Sequence, residues 1–326
     1  MDKGSEVIAG SPTASSRATA VTSITKFRGV ESSVTEDVLA VEEPLELQLV
    51  YGPAAARAMK SISVTMRTPG HDFELAAGFL MTEGILTDSP DIEEVVYVSG
   101  ASRQPGEKQG ADEAPADRLI LPYQPERNVV RVSLAPEVTV SLANLERNFY
   151  TTSSCGICGK ASLLALRSVC PPRSPNTLRI AAKVLHELPD RLRNAQDVFD
   201  RTGGLHAAGL FDADGKLLSS REDVGRHNAV DKLLGAEFLA DRTPLRDRVL
   251  LLSGRASFEL LQKSLMAGIA MVVSVGAPSS LAVQVAKEFD ITLVGFLRSE
   301  RFNVYNGAQR IAASSAGDDY RPLLNA

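Results

Sequence analysis

Residues 248–297, RVLLLSGRASFELLQKSLMAGIAMVVSVGAPSSLAVQVAKEFDITLVGFL, alternate short apolar runs with stretches of helical spacing. Arg248 to Leu252, Met271 to Val275 and Ile291 to Leu297 are short and rich in branched side chains, the pattern of strands buried on both faces. Ser257 to Ala267 and Ser279 to Phe289 read as helices that open on serine, and Gly268 ends the first. Strand, helix, strand, helix, strand implies a parallel sheet with right-handed crossovers.

In an open sheet of this kind ligands bind beyond the carboxyl ends of the strands. Those ends carry Ser253-Gly254-Arg255-Ala256-Ser257, Gly276-Ala277-Pro278-Ser279-Ser280 and Phe296-Leu297-Arg298-Ser299-Glu300-Arg301. Free N–H groups at a helix start beside Ser279 and Ser280 suit phosphate oxygens. Arg255, Arg298 and Arg301 offer further paired donors. Each segment alone also reads as a turn and cap; three of them converging on one edge make the stronger argument. Neither GxxxxGK[ST] nor GxGxxG occurs, which disfavours an ordinary P-loop or dinucleotide fold.

Upstream, Gly209-Leu210-Phe211 and Lys216-Leu217-Leu218 flank Asp212-Ala213-Asp214-Gly215, a hairpin signal. Asp223 to Leu234 reads as a helix with Ala229, Val230, Leu233 and Leu234 on one face. His206 lies among glycines and His227 among charged residues, settings that suit either a functional or a structural imidazole. Arg221, Glu222, Asp223 and Arg226 fit a solvated helix start, and His71 and His186 read as surface or turn residues.

The first half is less regular. Residues 1–23 are rich in Ser, Ala, Thr and Gly and read as a disordered tail. Residues 24–141 read as a small α+β domain. Leu45 to Tyr51, Ser61 to Arg67 and Asn128 to Leu134 alternate as strands, and Asp72 is placed to cap a helix that stops at Gly84. Gly100 to Ala116 reads as a mobile loop. Residues 142–326 form the α/β domain.

Between the two halves lies Thr152-Ser153-Ser154-Cys155-Gly156-Ile157-Cys158-Gly159-Lys160. Thiols two residues apart can share a metal, exchange a disulfide or carry sulfur. The apolar spacing of Leu163, Leu164, Leu166 and Val169 suits a helix ended by Pro171 and Pro172. A cysteine at that helix's start is favoured as thiolate, and Lys160 adds a positive charge. A structural zinc needs four ligands, whereas the only other cysteine is Cys170, read as a buried packing residue, and the chain holds 4 histidines.

The 326-residue chain has room for two cored domains, and 44% of its residues are hydrophobic. A net charge of −5 gives no bulk attraction to nucleic acid. Three cysteines without an even framework suggest a reducing compartment. No stretch approaches a membrane span and no apolar signal core opens the chain, so a cytoplasmic location is expected.

Taken together the motifs resemble the FdhD family, over roughly residues 25 to 315. Thr68-Pro69-Gly70 with Glu74-Leu75-Ala76-Ala77-Gly78-Phe79-Leu80, Ser153 to Gly159, Thr202-Gly203-Gly204-Leu205-His206, Arg221 to Lys232, Ser253-Gly254-Arg255, Val275 to Ala282 and Gly295 to Arg298 carry the likeness. The resemblance implies a cytidine-deaminase-like α/β domain with a smaller N-terminal α+β domain, usually as a homodimer. It implies a sulfurtransferase required for formate dehydrogenase activity. Such a protein takes sulfane sulfur from a cysteine desulfurase and passes it to the molybdenum cofactor, bis-molybdopterin guanine dinucleotide, as a transient ligand. Cys155 would be the persulfide carrier with Cys158 assisting. Phe296, Leu297, Arg298, Ser299, Glu300 and Arg301 would bind the cofactor, with Arg255, Ser279, Ser280 and His227 lining the same pocket. No resident metal is expected. Two other classes stand beside this one: a zinc-dependent deaminase or hydrolase, and a non-catalytic cofactor-binding chaperone. Against the first, Ser154 rather than Pro precedes Cys155 and no H-x-E occurs.

Overall fold

The computed structural model describes residues 17–98, 127–140, 166–167, 170 and 175–313. Its first elements form an antiparallel hairpin, β1 (Thr19–Arg28) and β2 (Glu31–Ala40), closed by a two-residue turn in which Gly29 adopts φ 64°. β1 thus begins inside the stretch read as a tail. Thr19, Val21, Thr22, Ile24 and Thr25 are β-branched, and that local preference outweighs a composition typical of tails.

The second sheet has the order β4-β3-β6-β5, from β3 (Glu43–Tyr51), β4 (Ala58–Arg67), β5 (Ile92–Tyr97) and β6 (Val129–Leu134). β3 pairs parallel with β6 and antiparallel with β4. Its alternation buries Leu45, Leu47 and Leu49, as the sequence pattern required. Helix α1 (Asp72–Thr82) follows the turn after β4. Asp72 does not cap it. His71 occupies the cap position with φ 59°, and no side chain closes that end. The Asp72 carboxylate is instead held by Arg67, whose Nε and Nη2 each donate at 3.1 Å, and by the Tyr97 hydroxyl at 3.1 Å. A buried guanidinium offers that carboxylate two donors, more than a helix end would.

The third sheet has the order β13-β12-β11-β10-β8-β9. Its strands are β8 (His206–Phe211), β9 (Leu217–Asp223), β10 (Val249–Leu252), β11 (Met271–Ser274), β12 (Thr292–Gly295) and β13 (Asn303–Asn306). β10, β11 and β12 are parallel, as expected, while β8 and β13 flank them antiparallel. Leu250, Leu252, Val272 and Leu293 face one core; Val249, Leu251, Met271 and Val273 face another. The first core is closed by α1, α4 (Arg226–Leu239), α5 (Phe258–Met266) and α6 (Ser280–Glu288). The second is closed by α2 (Ala182–Arg193) through Leu185, Leu188 and Leu192. A short helix α3 (Asp197–Thr202) leads into β8, and β7 (Ile180–Ala181) pairs with β14 (Ile311–Ala312).

The mixed α/β class therefore holds, and the first core runs without a break from Leu45 and Leu75 to Leu250 and Leu293. α1 and α4 join the two sheets by crossing on Gly78 and Gly235; a Cβ at either position would lie 1.9 Å from a carbonyl oxygen of the other helix. α4 starts at Arg226 rather than Asp223 and ends at Leu239 rather than Leu234. Asp223 is the last residue of β9, fully buried, and forms an ion pair with Lys232 at 2.6 Å. Arg221 and Glu222 also lie in β9, not at a helix start. Among the described residues no helix is long and apolar enough to cross a membrane.

Candidate functional site

β10, β11 and β12 end at Leu252, Ser274 and Gly295, and backbone bonds join the loops that leave them. Gly276 N–H donates to the Gly254 carbonyl at 2.9 Å, Ser279 N–H to Ala256 at 2.9 Å and Phe296 N–H to Gly276 at 3.0 Å. Glycine is needed at 276, because a Cβ there would sit 2.9 Å from the Arg255 backbone. The three segments singled out in the sequence thus form one continuous edge.

Their side chains divide in two. Arg255, Ser279, Ser280, Phe296, Arg298, Ser299, Glu300 and Arg301 are exposed on that edge. Phe296 stands in the left-handed region at φ 53°, which keeps its ring 41% exposed. Leu297 is fully buried in the second core, so its side chain does not face a ligand. Ser279 Oγ accepts from Ala282 N–H at 3.2 Å and caps α6, as the helix-start reading anticipated. Arg298 Nη1 donates to the carbonyls of Val275 and Leu297, both at 2.7 Å, which pins its loop to the edge. His186, read as a surface residue, has its Nδ1 2.8 Å from the Arg298 carbonyl and steadies the same loop.

His227 reaches the edge from α4. Its Nε2 lies 3.3 Å from Ser257 Oγ and 3.3 Å from a Glu259 carboxylate oxygen. Burial, then the nearby charges of Arg226 and Lys263, lower its pKa to about 4, so the ring is neutral at neutral pH. His206, at the start of β8, is lowered by burial and then by Arg226 and Arg255. The Glu259 carboxyl is raised by burial and by Glu83. The sequence did not single out Glu259, and it read Arg226 as part of a solvated helix start and Ser257 as a helix opener rather than as neighbours of His227. The available signal was pairing: the hairpin register sets His206 opposite Asp223, which places the α4 start beside the end of β10.

Behind the edge lies a set of buried charges. Lys232 Nζ donates to the Thr68 carbonyl at 2.8 Å, and Asp223 accepts from the backbone N–H groups of Thr68 at 3.1 Å and Gly225 at 2.8 Å. This cluster ties the turn before α1 to the start of α4, and so fixes His227. Lys263, also buried, contacts Asp231 and Glu83, each at 3.0 Å. Its pKa is raised because the attraction of Asp231 and Glu83 outweighs burial.

A cavity of about 340 Å³ opens at the opposite, amino edge, lined among others by Met81, Leu86, Asp88, Asp241, Asp247 and Met266. Its three aspartates outnumber its one arginine, Arg246, and disfavour phosphate, whereas the carboxyl edge presents several arginines and exposed hydroxyls. The chemistry therefore points to the carboxyl edge. Cys155 and Cys158 lie outside the described residues, as does the Gly100 to Ala116 loop. Cys170, by contrast, is partly buried against the first core. Among the described residues no group of three or more His, Cys, Asp or Glu side chains could hold a metal ion.

The profile of the FdhD/NarQ family matches residues 40–312. The chain is 49% identical over 295 residues to the sulfur carrier protein FdhD of Streptomyces coelicolor, covering 90% of this chain and 95% of that one. It is 50% identical over 278 residues to the sulfur carrier protein FdhD of Mycobacterium tuberculosis, covering 84% and 92%. Its fold is similar to the crystal structure of a candidate formate dehydrogenase accessory protein from Desulfotalea psychrophila. The TM-score is 0.63 at 21% identity, over 90% of this chain and 99% of that one.

Proposed function

The chain belongs to the FdhD/NarQ family, and on that footing we propose that it is a sulfur carrier for the molybdenum cofactor. Cys155 takes sulfane sulfur from a cysteine desulfurase, working in the cytoplasm as a homodimer. The protein hands the sulfur to bis-molybdopterin guanine dinucleotide before that cofactor enters formate dehydrogenase. The cofactor is cargo, bound at the carboxyl edge and released.

The chemistry balances with these groups. The Cys155 thiolate attacks the outer sulfur of the donor's persulfide, the S–S bond breaks, and the donor leaves as thiolate. In delivery, Cys158 thiolate attacks the Cys155 sulfur, closing a disulfide while the outer sulfur departs as sulfide toward the metal. If Cys158 only hydrogen-bonds the persulfide, an external thiol must attack the Cys155 sulfur to release sulfide, and a mixed disulfide on Cys155 appears in place of the Cys155–Cys158 one.

The observation that carries the reading is the joined carboxyl edge. It offers Arg255, Arg301, Ser280 and the exposed Phe296 ring within one surface. Guanidinium groups suit the cargo's diphosphates, and an aromatic face suits a guanine. Calorimetric titration with guanosine diphosphate tests it. Wild type is expected to bind, and Arg298→Ala combined with Arg301→Ala to bind at least about tenfold more weakly, the loss of one or more charged hydrogen bonds. Absent binding, or equal binding by the double variant, would count against the site.

A further inference from the structure

Four basic side chains meet where β8, β9 and β10 adjoin: His206, Arg226, His227 and Arg255. The hairpin sets His206 opposite Asp223, and α4 opens three residues later, so Arg226 and His227 return beside His206. Gly254, at the end of β10, leaves room against that ring; a Cβ there would lie 3.4 Å from His206 Nδ1 and Cε1.

The corner holds uncompensated positive charge. Arg67, Arg191, Arg221, Arg242 and Arg310 each form an ion pair with a carboxylate. Among the described residues neither Arg226 nor Arg255 does. Arg226 Nε is also buried with no hydrogen-bond partner, and a buried donor of that kind calls for an acceptor. α4 starts there on Gly225, without a side-chain cap, so its first N–H groups add to the positive potential.

Two carboxylates lie close, and neither removes that potential. Asp223 is committed to Lys232 and to the N–H groups of Thr68 and Gly225. Glu259 faces His227 from α5 and also feels the charge of Arg226, but its side chain is 49% exposed, so solvent screens it and it forms no ion pair with either arginine. Burial, and after it the charges of Arg226 and Arg255, lower the His206 pKa, while Asp223 opposes them.

We propose that this corner is an anion subsite in which the Arg226 and Arg255 guanidiniums, flanked by the His206 and His227 rings, bind a phosphate group or the terminal anion of a sulfane-sulfur species. The geometry favours an anion; the choice between those two sources rests on the sulfur-carrier reading. The subsite lies beside the carboxyl edge proposed for the cargo.

The test is calorimetry on the full chain at fixed ionic strength, with sodium pyrophosphate in one arm and sodium thiosulfate in the other. Wild type is expected to bind at least one. Arg226→Gln should weaken that binding at least tenfold, and His206→Asn should weaken it less. Arg28→Gln, on the exposed hairpin, should leave it unchanged. Preference for pyrophosphate assigns the corner to a phosphate, and preference for thiosulfate assigns it to sulfane sulfur. Denaturation midpoints are measured on every variant, and His206→Asn decides if Arg226→Gln does not fold. No binding of either anion by wild type overturns the proposal, as does wild-type affinity in both variants. Sulfur loading of Cys155, followed on the same samples, separates the two claims. Loading without anion binding contradicts the subsite alone, and anion binding without loading contradicts the carrier function alone.

Discussion

Replacing Gly235 by alanine sets two effects of opposite sign against each other. Alanine is favoured over glycine inside a helix by about 1 kcal/mol. The added methyl, however, would lie 1.9 Å from the Glu74 carbonyl oxygen and 2.7 Å from the Gly78 nitrogen. Neither atom belongs to a side chain that could rotate away. Relief requires α1 and α4 to separate by about 1 Å or more, since carbon–oxygen contacts below 3.0 Å are essentially never seen. Separation loosens Leu75, Leu233 and Leu234 and stretches the bond from Thr82 Oγ1 to Asp231, now 2.8 Å. Overpacking costs roughly 1–3 kcal/mol where side chains can yield, and more where they cannot. The clash therefore wins, with a net loss of about 3 kcal/mol. Urea denaturation followed by circular dichroism should show a lower midpoint with an unchanged slope. Guanosine diphosphate affinity should fall as well, because α4 carries Arg226 and His227 to the carboxyl edge. A midpoint equal to or above wild type would refute the reasoning.

Asp223→Asn leaves Lys232 buried without its counter-ion, and is expected to cost about 3–5 kcal/mol in chemical denaturation. Ser279→Ala removes the cap of α6 and should cost about 1 kcal/mol by the same assay. The His227 ring has a folded pKa of about 4 against 6.5 ordinarily. Its contribution to stability is complete above pH 6.5 and falls as the pH drops toward 4, because the unfolded chain takes up the proton first. His227→Asn should therefore flatten the stability profile across that interval in denaturation series at stepped pH.

The parallel sheet was legible because strands buried on both faces are predominantly apolar, as are the runs from Val249, Met271 and Thr292, with Ser274 and Thr292 the buried polar exceptions. The carboxyl edge followed from topology, with Ser279 capping its helix and Arg255 exposed beside it. What local pattern could not reveal was long-range pairing. Asp72 looked like a cap until Arg67 and Tyr97 were brought against it. Asp223 looked solvated, yet Lys232, Thr68 and Gly225 surround it. Leu297 sat within a motif whose neighbours face solvent, but past the end of β12 its N–H bonds to the Ser274 carbonyl at 3.1 Å and its side chain packs into the second core. Gly78 and Gly235 carried no local signal of their contact, which exists only once α1 lies on α4.

Mass spectrometry of the full chain after incubation with a cysteine desulfurase and cysteine tests the central claim most directly. A gain of one or more sulfur atoms, reversed by a thiol reductant and mapped to the peptide containing Cys155, is the expected result, and Cys155→Ala should show none while Cys170→Ala loads normally. Absence of any reducible sulfur on wild type, or undiminished loading of Cys155→Ala, would contradict it.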